Sequence, residues 1–149
     1  MRARQAKRVL AEIAAIRDLQ RMAAEGEAAR AAMEARTKLA QLERYRNDQA
    51  SAEENWRRIV SSPSLSLDVL KLWSIELRQQ AEAANRARSD VERAEREAQR
   101  CKSNWFLASK RSETAKDSAR DAATKEVHKR DDAAIQDALD RRGYAQGVI

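Results

Sequence analysis

The chain has 149 residues, of which 36% are charged, 4% are aromatic, 3 are glycine and 1 is proline. This composition is typical of long helices or a coiled coil. It argues against a compact core, because nearly half of the apolar residues are alanines, which bury little area. The net charge of +6 suits an acidic partner, a membrane surface or nucleic acid. Both signs alternate along the chain, however, which favours a solvated helical surface.

Catalytic, cofactor and metal sites have no signature in this sequence, so we predict a non-enzymatic protein without a cofactor or metal. There is no glycine-rich phosphate loop, and the single histidine, His128, is expected to be solvated. Cys101 is the only cysteine and lies at an apolar position, which predicts a small core residue in a reducing cytoplasm. No apolar run reaches the length of a membrane span, and the basic N-terminus lacks a signal-peptide pattern.

The only strong interruption of the helical pattern is the segment from Ser61 to Asp68, which contains Pro63. Proline cannot continue a helix that begins before it, and the serines and aspartate that follow can cap the next one. A second stop signal follows Arg141 and Arg142, at Gly143. The sequence therefore predicts one hairpin over residues 1–149, with helix 1 at about 4–61, a turn at about 62–67 and helix 2 at about 67–142.

Helix 2 carries apolar or small residues at spacings that alternate between three and four, which is the pattern of a coiled-coil seam. Its seam positions are Leu70, Trp73, Leu77, Gln80, Ala84, Ala87, Val91, Ala94, Ala98, Cys101, Trp105, Ala108, Ser112, Ala115, Ala119 and Ala122. Helix 1 has the same pattern when it is followed backwards from the turn, at Ile59, Trp56, Ala52, Gln49, Tyr45 and Leu42. Two matching seams joined by a turn predict an all-α fold, an antiparallel coiled-coil hairpin of two long helices.

A single register aligns the two seams when Ile59 lies opposite Leu70. The next layers then pair Trp56 with Trp73, Ala52 with Leu77, Gln49 with Gln80, Tyr45 with Ala84 and Leu42 with Ala87. Further out, Ala35, Ala31, Ala28 and Ala24 meet Ala94, Ala98, Cys101 and Trp105. Lys38 opposite Val91 interrupts this pattern, and its charge is expected to reach water along its stem. We expect Gln49 and Gln80 to satisfy each other's amides and to specify the register.

Beyond these layers the apolar pattern is expected to drift. Near the N-terminus the large apolar residues become Val9, Ile13, Ile16 and Leu19. Near the C-terminus the apolar positions become Val127, Ala134, Ile135, Ala138 and Leu139. Such a drift predicts extra apolar surface that is free for a partner. The basic residues at the two ends should meet in a closed hairpin and form a positive tip, from Arg2, Arg4, Lys7 and Arg8 together with Arg141 and Arg142.

The aromatic residues divide into two groups. Trp56, Trp73 and Trp105 occupy seam positions and are expected in the core. Phe106 lies just off the seam, and the sequence leaves open whether it packs in the core or anchors a partner.

The segment from Asn104 to Arg142, NWFLASKRSETAKDSARDAATKEVHKRDDAAIQDALDRR, combines an aromatic residue in the middle of helix 2 with Lys110, Arg111 and Glu113 and a charged end. With two long helices in a chain of this size, it resembles the YscO/FliJ family of central-stalk proteins in type III secretion and flagellar export. The resemblance covers most of the chain and is strongest from about Gln79 onward. It implies a hairpin similar to the γ-subunit stalk of rotary ATPases, in the cytoplasm and peripheral to the bacterial inner membrane at the secretion apparatus.

The partners that the resemblance implies are the hexameric secretion ATPase, the export gate protein and export chaperones. The basic terminal end is then expected to enter the ATPase ring, and the Ser61–Asp68 end to face the gate. Phe106, Lys110 and Arg111 join the six basic residues of the tip as candidate partner-binding residues. Reversing the charge of Arg4, Lys7, Arg8, Arg141 and Arg142 is expected to weaken ring binding.

Two other functions fit the same residues. One is a coiled-coil scaffold or adaptor of another system, because heptads encode shape and not the identity of a partner. The other, less favoured, is a basic rod that binds nucleic acid, although no stacking platform accompanies its charges. A parallel dimer shares the heptad signal with the hairpin, but the single register through the turn favours a monomeric hairpin.

Overall fold

The computed structural model describes residues 2–64 and 66–147 and contains two helices, α1 (Arg2–Val60) and α2 (Leu67–Gln146). The helices pack against each other, and no strand occurs in the described part of the chain. The prediction of an all-α fold built as a helical hairpin is therefore confirmed. Abundant alanine, glutamate, lysine and arginine favour helix along both segments, because these residues lose little side-chain freedom in a helix.

The helix boundaries agree with the prediction at the turn and differ at the C-terminus. α1 ends at Val60 and α2 begins at Leu67; Leu65, within the predicted turn, lies outside the described residues. The prediction that α2 stops at Gly143 is wrong, because the helix continues to Gln146. Gly143 does not take the positive φ of a helix-ending glycine, and its carbonyl accepts a further backbone hydrogen bond from Gly147 N at 3.1 Å.

The turn is closed by hydrogen bonds to the last carbonyls of α1. The Ser61 N–H donates to Arg57 O at 3.1 Å, and the Ser61 hydroxyl donates to the same oxygen at 2.8 Å. Pro63 has no N–H with which to extend this series, so α1 cannot continue through it. α2 begins when the Leu70 N–H bonds to Ser66 O at 3.1 Å. Pro63 and the flanking serines thus separate the two helices locally.

Packing divides the chain into two compact units. The turn unit comprises Glu25–Ser103, and the terminal unit comprises the described residues of Met1–Ala24 and Asn104–Ile149. Each unit contains one stretch of α1 and one stretch of α2, so each has a seam of its own.

In the turn unit the predicted seam is buried. Leu42, which is 3% exposed, forms the core cluster with Ala87 and Val91. Tyr45 remains exposed at its layer, and Lys38 is half-buried, as expected for a stem that lies along the seam. The other seam residues are buried or half-buried, namely Ile59, Trp56, Ala52, Gln49, Ala35, Ala31 and Ala28 on α1 and Leu70, Trp73, Leu77, Gln80, Ala84, Ala94, Ala98 and Cys101 on α2.

The glutamine layer differs from the prediction in its hydrogen bonds. The Gln49 amide donates to Glu53 Oε1 at 3.2 Å, and the Gln80 amide donates to Glu76 Oε1 at 3.0 Å. Each glutamine is therefore bonded to a carboxylate one turn further along or back on its own helix, where a charged acceptor is stronger than a neutral amide. Both side chains are half-buried at the seam, but the expected bond between them is not formed.

In the terminal unit the seam continues without the predicted drift. Ala14 is buried and Leu10 is half-buried on α1, and Ala115, Ala119 and Ala122 are half-buried on α2. These positions extend the spacing of three and four from the turn unit. Trp105 is half-buried, as predicted for the core. The large apolar residues of α1 that suggested a drift lie instead on its outer face, and all four are exposed, namely Val9, Ile13, Ile16 and Leu19.

Candidate docking surfaces

The two helices of the terminal unit are joined by a polar layer centred on Asp18. Asp18 Oδ1 accepts hydrogen bonds from Ser112 Oγ at 3.3 Å and from Lys116 Nζ at 2.8 Å, both on α2. Arg21 Nε, on α1, donates to the same oxygen at 3.1 Å. Ser112 is only 1% exposed, so water does not reach its hydroxyl and the bond to Asp18 satisfies it.

The cations around Asp18 determine its ionisation. Hydrogen bonds from Lys116 and then from Arg21 lower the pKa of this carboxyl from 3.8 to about 2. Asp18 therefore remains ionised at all but strongly acidic pH, and it holds Lys116 across the interface between the helices. A polar layer of this kind specifies the register of a coiled coil. The Asp18 layer thus has the interhelical polar contacts that the sequence predicts for Gln49 and Gln80.

A second ionic contact joins the N-terminus of α1 to α2. Lys7 Nζ lies 3.2 Å and Arg4 Nε 3.8 Å from the carboxylate of Glu126, and Arg130 on α2 lies 2.9 Å from it. The Lys7 ammonium beside it is the main cause that lowers the pKa of Glu126. Two of the basic residues predicted to bind a partner thus already have a carboxylate within the unit. Arg8 pairs with Glu12 on its own helix at 3.0 Å, and Arg2 is exposed.

Glu126 pairs with Arg4 and Lys7 near the described start of α1, and we call the residues of α2 that follow it, 127–146, the α2 extension. Residues 127–145 are all exposed, including the apolar side chains of Val127, Ile135, Leu139 and Tyr144. Arg141 lies 15 positions after Glu126, which is about 22 Å along a helix. The structure therefore does not bring Arg141 and Arg142 together with the basic residues at the start of α1, and the predicted single positive tip is wrong.

Phe106 lies on the outer surface of α2, so it does not pack in the core, and its role as an anchor for a partner stays a prediction. Its residue is 61% exposed, and its neighbour Leu107 is also exposed. The Lys110 Nζ atom lies 5.6 Å from the centre of the Phe106 ring, within the range of a cation–π contact. Lys110 also pairs with Glu113 at 3.7 Å, and Arg111 is exposed. These residues form an accessible aromatic and basic patch on the terminal unit.

Cys101 and His128 are the single cysteine and the single histidine of the sequence. Cys101 is buried, and burial followed by its hydrogen bond to Glu97 raises the pKa of the thiol, which disfavours the reactive thiolate. His128 is exposed on the α2 extension. Among the described residues, no group of three or more histidine, cysteine or acidic side chains is placed to hold a metal. No described helix combines the length and hydropathy that are needed to cross a bilayer.

Comparisons with protein families, with characterised proteins and with solved structures found no match to this chain. We therefore infer its function from the sequence and from the geometry described above.

The residue that sequence reasoning missed is Asp18. The sequence does contain a signal for this contact. When the register that pairs Ile59 with Leu70 is continued past Ala24, Arg17 and Asp18 lie level with Ser112. Lys116, one turn after Ser112, completes the charge pair. Hydrophobicity alone predicts the wrong face of α1 here, because the large apolar residues are exposed and this part of the seam is polar.

Proposed function

We propose that this chain is a non-enzymatic stalk component of a bacterial type III secretion system. Its terminal unit binds the hexameric secretion ATPase, and the residues around Pro63 face the export gate, so that the protein links the two. It works in the cytoplasm, peripheral to the inner membrane, and export chaperones are further partners. The support is the resemblance of Asn104–Arg142 to the YscO/FliJ family together with the surfaces of the terminal unit.

The observation that carries the proposal is the α2 extension. Its apolar residues are spread over several faces of the helix, because Val127, Ile135 and Tyr144 do not follow a single heptad stripe. A helix with exposed apolar groups on several faces gains most from a partner that surrounds it, such as the pore of a ring. The exposed outer face of α1, with Val9, Ile13 and Ile16, offers a second apolar surface in the same unit.

The test measures hydrolysis and hexamer assembly by the secretion-type ATPase of the same organism, with and without the full chain. The informative variant reverses Arg141 and Arg142 to glutamate and replaces Ile135 with aspartate. These residues are exposed and lie beyond the interhelical contacts, so the hairpin should remain folded. Arg4 and Lys7 are left intact because their loss would also remove the contact with Glu126. The matched control reverses Arg86 and Arg88, two exposed arginines of the turn unit.

The expected result is that the wild-type chain and the control promote assembly or raise hydrolysis, whereas the extension variant does so at least about tenfold less well at equal concentration. If the helical wild-type chain neither binds the ring nor changes its activity, the stalk proposal is wrong, and a scaffold or adaptor of another system becomes the better description. Tight binding to nucleic acid that falls steeply with salt would instead favour the basic rod.

A further inference from the structure

The first turns of α2 are apolar on more sides than α1 covers. Leu70, Trp73 and Leu77 occupy the seam and are half-buried. Val69 and Leu72 each lie one position before a seam residue, on a neighbouring face, and are exposed, with Leu72 at 68%. A helix with two apolar faces needs cover on both of them. Within the turn unit only the seam face is covered by α1.

An open groove of about 530 Å³ runs beside this uncovered face, and we call it the turn-end groove. Leu72, Trp73 and Glu76 of α2 form one wall. Asp48, Ser51 and Asn55 of α1 line the other wall, at the spacing of a single helix face. Small polar residues on one side and large apolar residues on the other leave room for a third helix, as in helix-in-groove recognition.

The charges that line the groove select the kind of helix it suits. Its two ionisable lining residues, Asp48 and Glu76, are both acidic, although the whole chain is basic. A second groove in the same unit has mixed charges, including Lys38, Arg93 and Glu97, and no large apolar wall. The turn-end groove is therefore the one of the two that combines an apolar wall with charge of a single sign.

We propose that the turn-end groove binds an amphipathic α-helix of a partner protein. The leucine or isoleucine stripe of that helix packs on Leu72 and Trp73, and lysine or arginine beside the stripe pairs with Asp48 and Glu76. This inference does not depend on the proposed role in secretion, because it rests on residues of the turn unit alone. A second copy of this chain is the competing occupant.

The probe is a synthetic helical peptide of about 18 residues, or five turns, with a leucine stripe flanked by lysines. A control peptide carries glutamate in place of every lysine. Binding is measured by fluorescence anisotropy of the labelled peptide against the full chain, with Leu72→Glu and Asp48→Lys as test variants. Met33→Glu is the matched control, because Met33 is 66% exposed in the same unit and does not line the groove. Circular dichroism checks that each variant is folded.

The lysine peptide should bind the wild type and Met33→Glu equally, and each test variant at least about tenfold more weakly. The glutamate peptide should bind the wild type at least about tenfold more weakly, and Asp48→Lys should recover part of that loss. The proposal is overturned if the lysine peptide does not bind, if both peptides bind alike, or if Leu72→Glu and Met33→Glu have equal effects. A wild-type dimer that Leu72→Glu converts to a monomer in light scattering would assign the groove to a second copy and also overturn it.

Discussion

Leu42 is the side chain on which the stability of the turn unit should depend most. It is 3% exposed and packs with Ala87 and Val91, whereas the other buried α1 residues of this unit, Ala31 and Ala52, are alanines. Replacing Leu42 with alanine removes about three methylene equivalents, worth about 2.4 kcal/mol of transfer free energy at about 0.8 kcal/mol each. The cavity left behind adds to this loss, so the expected cost to the free energy of unfolding is about 2–4 kcal/mol.

The assay is urea unfolding of the full chain followed by circular dichroism, with Leu72→Ala as the control. Leu72 undergoes the same chemical change in the same unit but is mostly exposed, so its loss should cost less than about 0.5 kcal/mol. A cost below about 1 kcal/mol for Leu42→Ala, or equal costs for the two variants, would refute the argument that Leu42 anchors the seam.

Three further predictions concern backbone, thiol and carboxylate. Gly26→Ala should stabilise the helix by about 1 kcal/mol in urea unfolding, because an added Cβ meets no atom within 4 Å and the φ of Gly26 is not positive; a loss of stability would show hidden crowding. Cys101 should react with a thiol reagent at least about tenfold more slowly in the native chain than in denaturant, since burial raises its pKa; equal rates would mean that the layer is open. Asp18, whose pKa in the folded chain is about 2, and Glu126, whose pKa is lowered, contribute stability that is present above the pKa values of the unfolded chain and is lost as the carboxylates bind protons. The melting temperature should therefore fall as the pH is lowered from about 4 to about 2. Asp18→Asn should reduce this fall, and an unchanged fall would exclude Asp18 as a cause.

The sequence predicts only part of the candidate docking surfaces. Phe106 and the apolar residues of the α2 extension could be named, because large apolar groups off a heptad seam have no place in a two-helix core. Their relation to the basic residues was predicted wrongly. The predicted bounds already make helix 2 longer than helix 1, and the register that pairs Ile59 with Leu70 puts Arg2 level with Val127, so the same sequence signals argue against a tip that includes Arg141 and Arg142.

The sequence by itself determined the helical class, the position of the turn and the register of the seam. Each of these follows from local chemistry, since the ring of Pro63 stops a helix and the alternation of three and four places Leu42 on the inner face. Only the tertiary structure decided which polar groups cross between the helices. Asp18 selects Lys116 and Ser112 because packing brings them within hydrogen-bond distance, and Gln49 and Gln80 turn to nearer carboxylates. Periodicity reports which face of a helix is buried, but the choice of hydrogen-bond partner depends on distances that exist only after the helices have packed.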